Sequence, residues 1–305
     1  MTRVICIGEC MVERGLDGAQ AFAGDAFNVA AHIKQAAPKI EVAFASATGD
    51  DDASRAMRAT WSRLGVDGSL SPENPGGRVG VYWAEVDAAG ERRFSYDRAD
   101  SAARGWFAAL RPEAEAMGGA DLLFLTGTSL AILPPGERLA ALSFVADLKP
   151  KTLAFDPNVR PALWESRETM RAVLEAAMGQ ADILLPSRDD LTELWGAAES
   201  EDLMRRCQDL GAPEVVLTLG AEGCRLSYGR RQAVRWLRTD GEQTGSLPTS
   251  SAKAVDTAGA GDAFDGAYLA TRLQGRPPPD AARRGLERAA LAVAFRGALP
   301  MEIFP

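Results

Sequence analysis

Val255-Asp256-Thr257-Ala258-Gly259-Ala260-Gly261-Asp262-Ala263-Phe264-Asp265-Gly266 is the stretch around which the rest of the chain is organised. Two glycines flank one alanine, and Asp262 then opens a run, Ala263 to Leu273, that reads as a helix. Small residues let a backbone turn tightly and approach a ligand closely. A helix start offers free N–H groups and a partial positive charge, so anions settle there. A carboxylate beside such an anion site suits phosphoryl transfer: amides hold the developing negative charge while Asp262 takes a proton from the attacking hydroxyl. Two commoner motifs do not fit. A dinucleotide fingerprint needs Gly or Ala where Phe264 stands, and a P-loop needs a Gly-Lys-Ser/Thr triplet that the chain lacks. On the local pattern alone, an ordinary Gly-rich turn capped by aspartate stays open as the alternative.

The wider chain narrows the choice. Its 305 residues, 46% hydrophobic and 25% charged, are the balance of a soluble globular protein with a sizeable core. A net charge of −8 argues against a general nucleic-acid binder. No apolar run approaches the ~18 residues of a membrane span. Arg3 to Gly8 reads as a first strand rather than a signal peptide, which makes the cytoplasm the expected compartment. The four cysteines, Cys6, Cys10, Cys207 and Cys224, form no Cys-x-x-Cys pair, so zinc and thioredoxin-like chemistry are weak readings. His32 is the sole histidine, which removes His-based metal sites and leaves no triad; it reads as structural or surface.

From Asp121 onward the pattern is regular. Apolar runs at Asp121–Thr126, Thr152–Asp156, Asp182–Leu185 and Glu214–Leu219 alternate with helical stretches at Glu137–Leu148, Glu165–Gly179, Asp189–Trp195 and Glu201–Leu210. Such alternation predicts a parallel sheet with helices on both faces, and ligands bind beyond the carboxyl ends of its strands. Upstream, Glu41–Ala47 reads as a strand and Asp51–Leu64 as a helix. Residues 9–22 are a polar excursion, and 77–98 a β-hairpin. Together they predict a small β-lid on a single domain spanning 1–305. In the hairpin, Val79, Val81 and Trp83 face one way and Tyr82 the other, while Tyr96 and Arg98 share a face. An arginine beside two tyrosines suits a carboxylate on a polyol; a plain exposed hairpin face is the alternative. Phe22 to Asn28 enters a helix ending near Ala36, with Asp25 either an N-cap or, with Gly24 and Asn28, a clasp for a hydroxyl-rich ligand. Later, Arg225–Trp236 reads as a second hairpin, Asp240–Ser251 as a loop, and Asp280–Phe295 as a last helix behind Pro277-Pro278-Pro279.

These motifs, taken together, resemble the ribokinase-like (PfkB) carbohydrate kinases over essentially the full length. Asp256 to Phe264 resembles that family's C-terminal signature and Gly24 to Asn28 its N-terminal one. Ile7-Gly8-Glu9-Cys10-Met11, Tyr82 with Tyr96-Asp97-Arg98, Ser129 to Leu133, and Asp156 to Trp164 are most similar to the 2-keto-3-deoxygluconate kinases within it. The resemblance implies a three-layer α/β/α sandwich with a mainly parallel sheet, and ATP-dependent phosphorylation of that sugar acid at its terminal hydroxyl. It implies Asp262 as general base and the amides of Gly259, Ala260 and Gly261 as anion hole. It implies sugar-acid contacts from Gly24, Asp25, Asn28, Tyr82, Tyr96, Arg98 and Arg160, and nucleotide contacts from Ser187, Thr218, Gly220 and Gly223 together with Gly259 and Gly261. Mg2+ would arrive with ATP, without a protein cage, and a homodimer would form through the lid. The chain departs from the family in having Ser187-Arg188-Asp189-Asp190 where Asn-x-x-Glu is common, Thr218 where related enzymes often have Lys, and Ala23 in place of a first glycine. Fructose, ribose, keto-deoxygalactonate or a nucleoside are alternative substrates, and a silent sugar- or nucleotide-binding regulator is the alternative from another class.

Overall fold

The apolar runs are near-continuous because the sheet they build is covered on both sides. In a strand successive side chains leave opposite faces, and the core divides accordingly. Val4, Cys6, Val42, Phe44, Leu122, Phe124 and Val216 join one hydrophobic cluster with Phe27, Trp61 and Tyr268. Their neighbours Ile5, Ile7, Ala43, Leu123, Leu125, Val215 and Leu217 join another with Trp106, Leu174 and Met178. A three-layer α/β/α arrangement is the result. The computed structural model describes residues 2–15, 20–86, 92–229, 243–247 and 254–304.

The strands are β1 (Arg3–Ile7), β2 (Met11–Arg14), β3 (Gln20–Ala23), β4 (Glu41–Ala45), β5 (Val81–Val86), β6 (Arg92–Asp97), β7 (Leu122–Thr126), β8 (Leu153–Asp156), β9 (Ile183–Leu184), β10 (Glu214–Thr218), β11 (Cys224–Tyr228) and β12 (Gln243–Leu247). Eight of them form one sheet in the order β12-β11-β10-β9-β8-β7-β1-β4. From β10 to β4 every pairing is parallel, and β11 and β12 add an antiparallel edge. The parallel strands therefore deliver Gly8, Gly127, Pro157, Ser187 and Thr218 to one rim of the sheet. Side-chain caps start the flanking helices: Asp51 Oδ1 accepts from the Ser54 amide, Ser166 Oγ from Thr169 and Ser187 Oγ from Asp190. The remaining strands form a separate four-stranded sheet, β3-β2-β5-β6. It is entered directly from β1 through Gly8, Glu9 and Cys10, so it hangs over the same rim.

The structure corrects three expectations. The helix after the glycine motif begins at Ala260 rather than Ala263, because Gly259 adopts a left-handed conformation (φ 71°) and is itself the N-cap. Asp262 is thus inside the helix and caps nothing. Asp25 is not an N-cap either; Gly24 holds that place and Asp25 is the first helical residue of Asp25–Ala36. The 240–251 stretch, read as loop, contains β12, paired to β11 through main-chain hydrogen bonds; its sequence, Gln243-Thr244-Gly245-Ser246-Leu247, lacks the alternating apolar signal of a strand. The hairpin expected over 225–236 begins with β11, and its remaining residues, 230–236, fall outside those described. All four cysteines are buried free thiols. No described helix is long and apolar enough to cross a membrane.

Candidate active site

The glycine motif is shaped by its contacts behind it. Asp256 accepts from the Ala258 amide (3.0 Å) and from the Gly297 amide (2.7 Å), tying the loop to the C-terminal segment. A Cβ on Gly259 would lie 1.9 Å from the Ala298 carbonyl oxygen, so glycine is required by space as well as by φ. Gly261 is different: a Cβ there would meet nothing within 4 Å. The Ala260 amide donates weakly back to the Thr257 carbonyl (3.3 Å), while no main-chain acceptor among the described residues takes the Gly261 N–H. That amide heads a 14-residue helix and is free to meet an anion.

Asp262 sits one residue further on, 6% exposed. Its Oδ2 accepts from Asn28 Nδ2 (2.7 Å), and Asn28 Oδ1 in turn accepts from the Gly24 amide (3.2 Å). Asn28 is buried and bridges Gly24 to Asp262, so it fixes the direction of that carboxylate. Gly24 is obliged to be small: a Cβ would stand 2.1 Å from the Glu9 carbonyl oxygen. Burial, then the charge of Asp25, pushes the Asp262 carboxyl well above the usual carboxylate range; the Asn28 hydrogen bond partly offsets this. Asp265, one turn along the same helix face, is raised as well by burial and by Asp156, Asp262 and Asp190. Asp156, at the end of β8, is pushed up to about 8 by burial and then by Asp190. Arg160, its side chain 51% exposed, is the cation among these acids, with Asp25, Asp190, Asp156 and Asp262 as its charged neighbours.

On the small sheet Tyr82 and Tyr96 are register partners with ring centroids 5.9 Å apart. Tyr82 is buried and hydrogen-bonded to Glu13, while Tyr96 is 52% exposed. Arg98 lies 5.6 Å over the Tyr96 ring and is ion-paired with Glu9. The residues expected on the nucleotide side collect separately. Ser187 and Thr218 form an isolated parallel bridge, and Gly220 (φ 59°) and Gly223 (φ 100°) shape the turn after β10. Asp190 is fully used by its own surroundings: it accepts from Ser187 Oγ (2.6 Å) and the Val159 amide (2.8 Å) and lies 3.5 Å from Arg160.

Four buried acids in or beside this crevice escaped the sequence reading as site residues: Glu9, Glu13, Asp156 and Asp265. Asp265 carried a local signal, its spacing of three from Asp262 on a helix, and Asp156 stood at the carboxyl end of a strand expected to face the crevice. Glu9 and Glu13 meet the site through tertiary contacts that no spacing encodes.

The pfkB family carbohydrate kinase model matches residues 1–302. A 2-dehydro-3-deoxygluconokinase of Escherichia coli is 34% identical over 313 residues, covering 99% of each chain. Among solved structures, a PfkB protein from Polaromonas sp. superposes with a TM-score of 0.81 at 26% identity, over 98% of this chain and 97% of that one. A fructokinase from Vibrio cholerae, bound to fructose, ADP and calcium ion, superposes with a TM-score of 0.80 at 25% identity, over 98% and 95%. A sequence match of that length, on a ribokinase-like sandwich with its glycine–aspartate helix start at the strand-end rim, makes this chain a member of the pfkB family of carbohydrate kinases.

Proposed function

We propose that the protein transfers the γ-phosphoryl group of ATP to the terminal hydroxyl of 2-keto-3-deoxygluconate (2-dehydro-3-deoxygluconate), giving the 6-phosphate. The observation that carries the substrate is the placement of Arg160 at the base of the crevice and of Arg98 with Tyr82 and Tyr96 on the sheet above it. A neutral sugar has no use for two guanidinium groups; a carboxylate matches their fork. The 34% identity to an enzyme of that name supports the same reading.

In this mechanism Asp262 Oδ accepts the hydroxyl proton as the sugar oxygen bonds to the γ-phosphorus and the bond to ADP breaks. Its raised proton affinity makes it a stronger base than an ordinary aspartate once ionised. Asn28 aims it. Charge growing on the phosphoryl oxygens falls on the amides of Gly259, Ala260 and Gly261 and on the positive end of the helix they start. Gly24 and Asp25 face the sugar hydroxyls, and Ser187, Thr218, Gly220 and Gly223 line the nucleotide. Among the described residues no cluster of three or more metal-ligating side chains is assembled. A magnesium ion arriving with ATP would keep several waters, with Asp190 and Asp156 as the nearby carboxylates. Bound there, magnesium would neutralise phosphate charge.

The small sheet serves as a lid that excludes water from the transfer. Its aromatic residues Trp83 and Phe94 are exposed, which supports a homodimer through this sheet. Fructose is the runner-up substrate, favoured by the way Glu9 already neutralises Arg98. An ADP-release assay over sugar acids and neutral sugars tests the assignment. Turnover of keto-deoxygluconate is expected; consumption of fructose or ribose with none of the acid would refute it.

A further inference from the structure

Glu9 stands where the chain leaves β1 for the small sheet, and its side chain is 2% exposed. Space is cleared around it on two sides. Gly24 passes under its carbonyl, and a Cβ on Gly80 would lie 3.1 Å from Glu9 Oε1 and 3.2 Å from Arg98 Cβ. Into that space comes Arg98, from the end of β6, its side chain 11% exposed. One guanidinium arm, Nη2, donates to Glu9 Oε2. The pairing stops there: Glu9 Oε1 and Arg98 Nε are both buried without a hydrogen-bond partner. The other flank of the guanidinium lies over the Tyr96 ring.

A buried ion pair gains little stability over an apolar pair of the same shape, because both ions lose water. A pair that leaves two polar atoms unsatisfied gains less still. What this pair does accomplish is geometric. A free arginine side chain has many rotamers, and one arm held by a carboxylate against an aromatic face leaves one direction for the rest. Arg160 has no such mount; it is half exposed and 3.5 Å from its nearest acid.

We infer that Glu9 is a positioning residue that aims Arg98 at the carboxylate of the sugar acid. The inference rests on the sugar-acid reading of the site. Glu9 touches no reacting atom; it acts through Arg98, and it links the residue at the exit of β1 to the far strand of the small sheet. Its expected signature is a weaker KM for the acid with kcat and the KM for ATP kept.

The test is a double-mutant cycle of Glu9→Ala and Arg98→Ala, read as KM for keto-deoxygluconate, KM for ATP, kcat and Tm. Each single variant should raise the KM for the acid about tenfold or more, with kcat within about threefold and the KM for ATP within about twofold. The double variant should be no worse than Arg98→Ala alone, since removing the aimed group removes the need for the aim. If Arg98→Ala leaves the KM for the acid unchanged, the sugar-acid reading itself falls. If Arg98→Ala raises it and Glu9→Ala does not, that reading stands and the role of Glu9 is refuted. Multiplied effects in the double variant, or parallel losses in kcat and in the KM for ATP, also refute it. Should Glu9→Ala not fold, Glu9→Gln completes the cycle: it keeps the shape and one acceptor, so an intermediate rise in KM that vanishes beside Arg98→Ala upholds the role, and an unchanged KM overturns it.

Discussion

The proposed phosphoryl end and the proposed sugar end of this crevice are built on different principles. The phosphoryl end is main chain: Gly259, Ala260, Gly261 and Asp262 are consecutive, and their conformation is set by one left-handed glycine and a helix start. The sugar end is side chain: Asp25, Tyr82, Tyr96, Arg98 and Arg160 come from four distant segments and are held by partners such as Glu9 and Glu13. The first can be disturbed only by altering backbone or the base itself. The second can be retuned one side chain at a time, which is how one scaffold accommodates both a sugar acid and a neutral sugar among its relatives.

The sharpest way to break this comparison is at the base. Asp262→Asn is expected to lower kcat by about 10²–10⁴ while the sugar still binds; equal turnover in rapid-quench assays would remove Asp262 from the chemistry. Next come the two glycines. Gly261→Ala has room for its methyl and gains helix propensity, so Tm should hold or rise, by up to about 1 kcal/mol in stability. In the proposed mechanism the phosphoryl group lies against this amide, so the methyl should still lower kcat about 10²-fold. Gly259→Ala should lose both stability and activity, since its φ and the Ala298 carbonyl forbid a side chain. A Gly261→Ala enzyme of full activity would show that this helix start is architecture alone.

At the sugar end the effects are smaller and selective. Arg160→Ala should raise the KM for a sugar acid about 10- to 100-fold, the worth of a charged hydrogen bond, and leave the KM for ATP in place. Equal weakening of both would move Arg160 out of the sugar side. The pH profile probes the junction between the two ends. Asp262 must be ionised to act, and burial with neighbouring acids holds its proton affinity high. The rate kcat/KM should therefore rise with pH along a limb lying above the ordinary aspartate range near 4. Asp25→Asn removes the leading negative neighbour of Asp262 and should slide that limb down by about half to one pH unit. An unmoved limb would uncouple the two carboxyls.

The smallest effect concerns the packing behind the motif helix. A Cβ on Gly266 would lie 2.4 Å from His32 Cβ, so the two helices touch at this histidine. Burial, and then the Arg288 charge, lowers its pKa to about 3, from about 6.5 in an unfolded chain. Between those values the unfolded chain binds the extra proton. Stability from His32 is thus whole above pH 6.5 and falls by up to about 1.4 kcal/mol per unit as pH drops toward 3. Urea midpoints of His32→Gln should show a shallower acid slope than the parent; identical slopes would contradict the burial.

The same contrast decides what was legible in the sequence. The alternation of apolar runs gave away β7 to β10 and their helices, because a parallel sheet buries both faces and leaves continuous hydrophobic strings. The motif at 256–262 was readable because its geometry is local. β12 was not, since an edge strand joined by main-chain bonds needs no apolar pattern. Asn28 was assigned to the sugar from its place in a helix entrance; its bridge between Gly24 and Asp262 is a tertiary contact that the entrance alone does not encode. Glu9 read only as part of a family-like string, since its partner is 89 residues away.

The four buried thiols have a practical reading. Burial pushes Cys207 and Cys224 up to about 12, and Cys6 and Cys10 higher. Thiolates form at such sites scarcely at all near neutral pH, and maleimide dyes attack thiolates. The folded protein is in effect a cysteine-silent background. A single cysteine placed at Asp100, exposed just beyond β6 of the small sheet, would take one dye and nothing else, and its fluorescence would follow that sheet in real time as sugar and nucleotide are added.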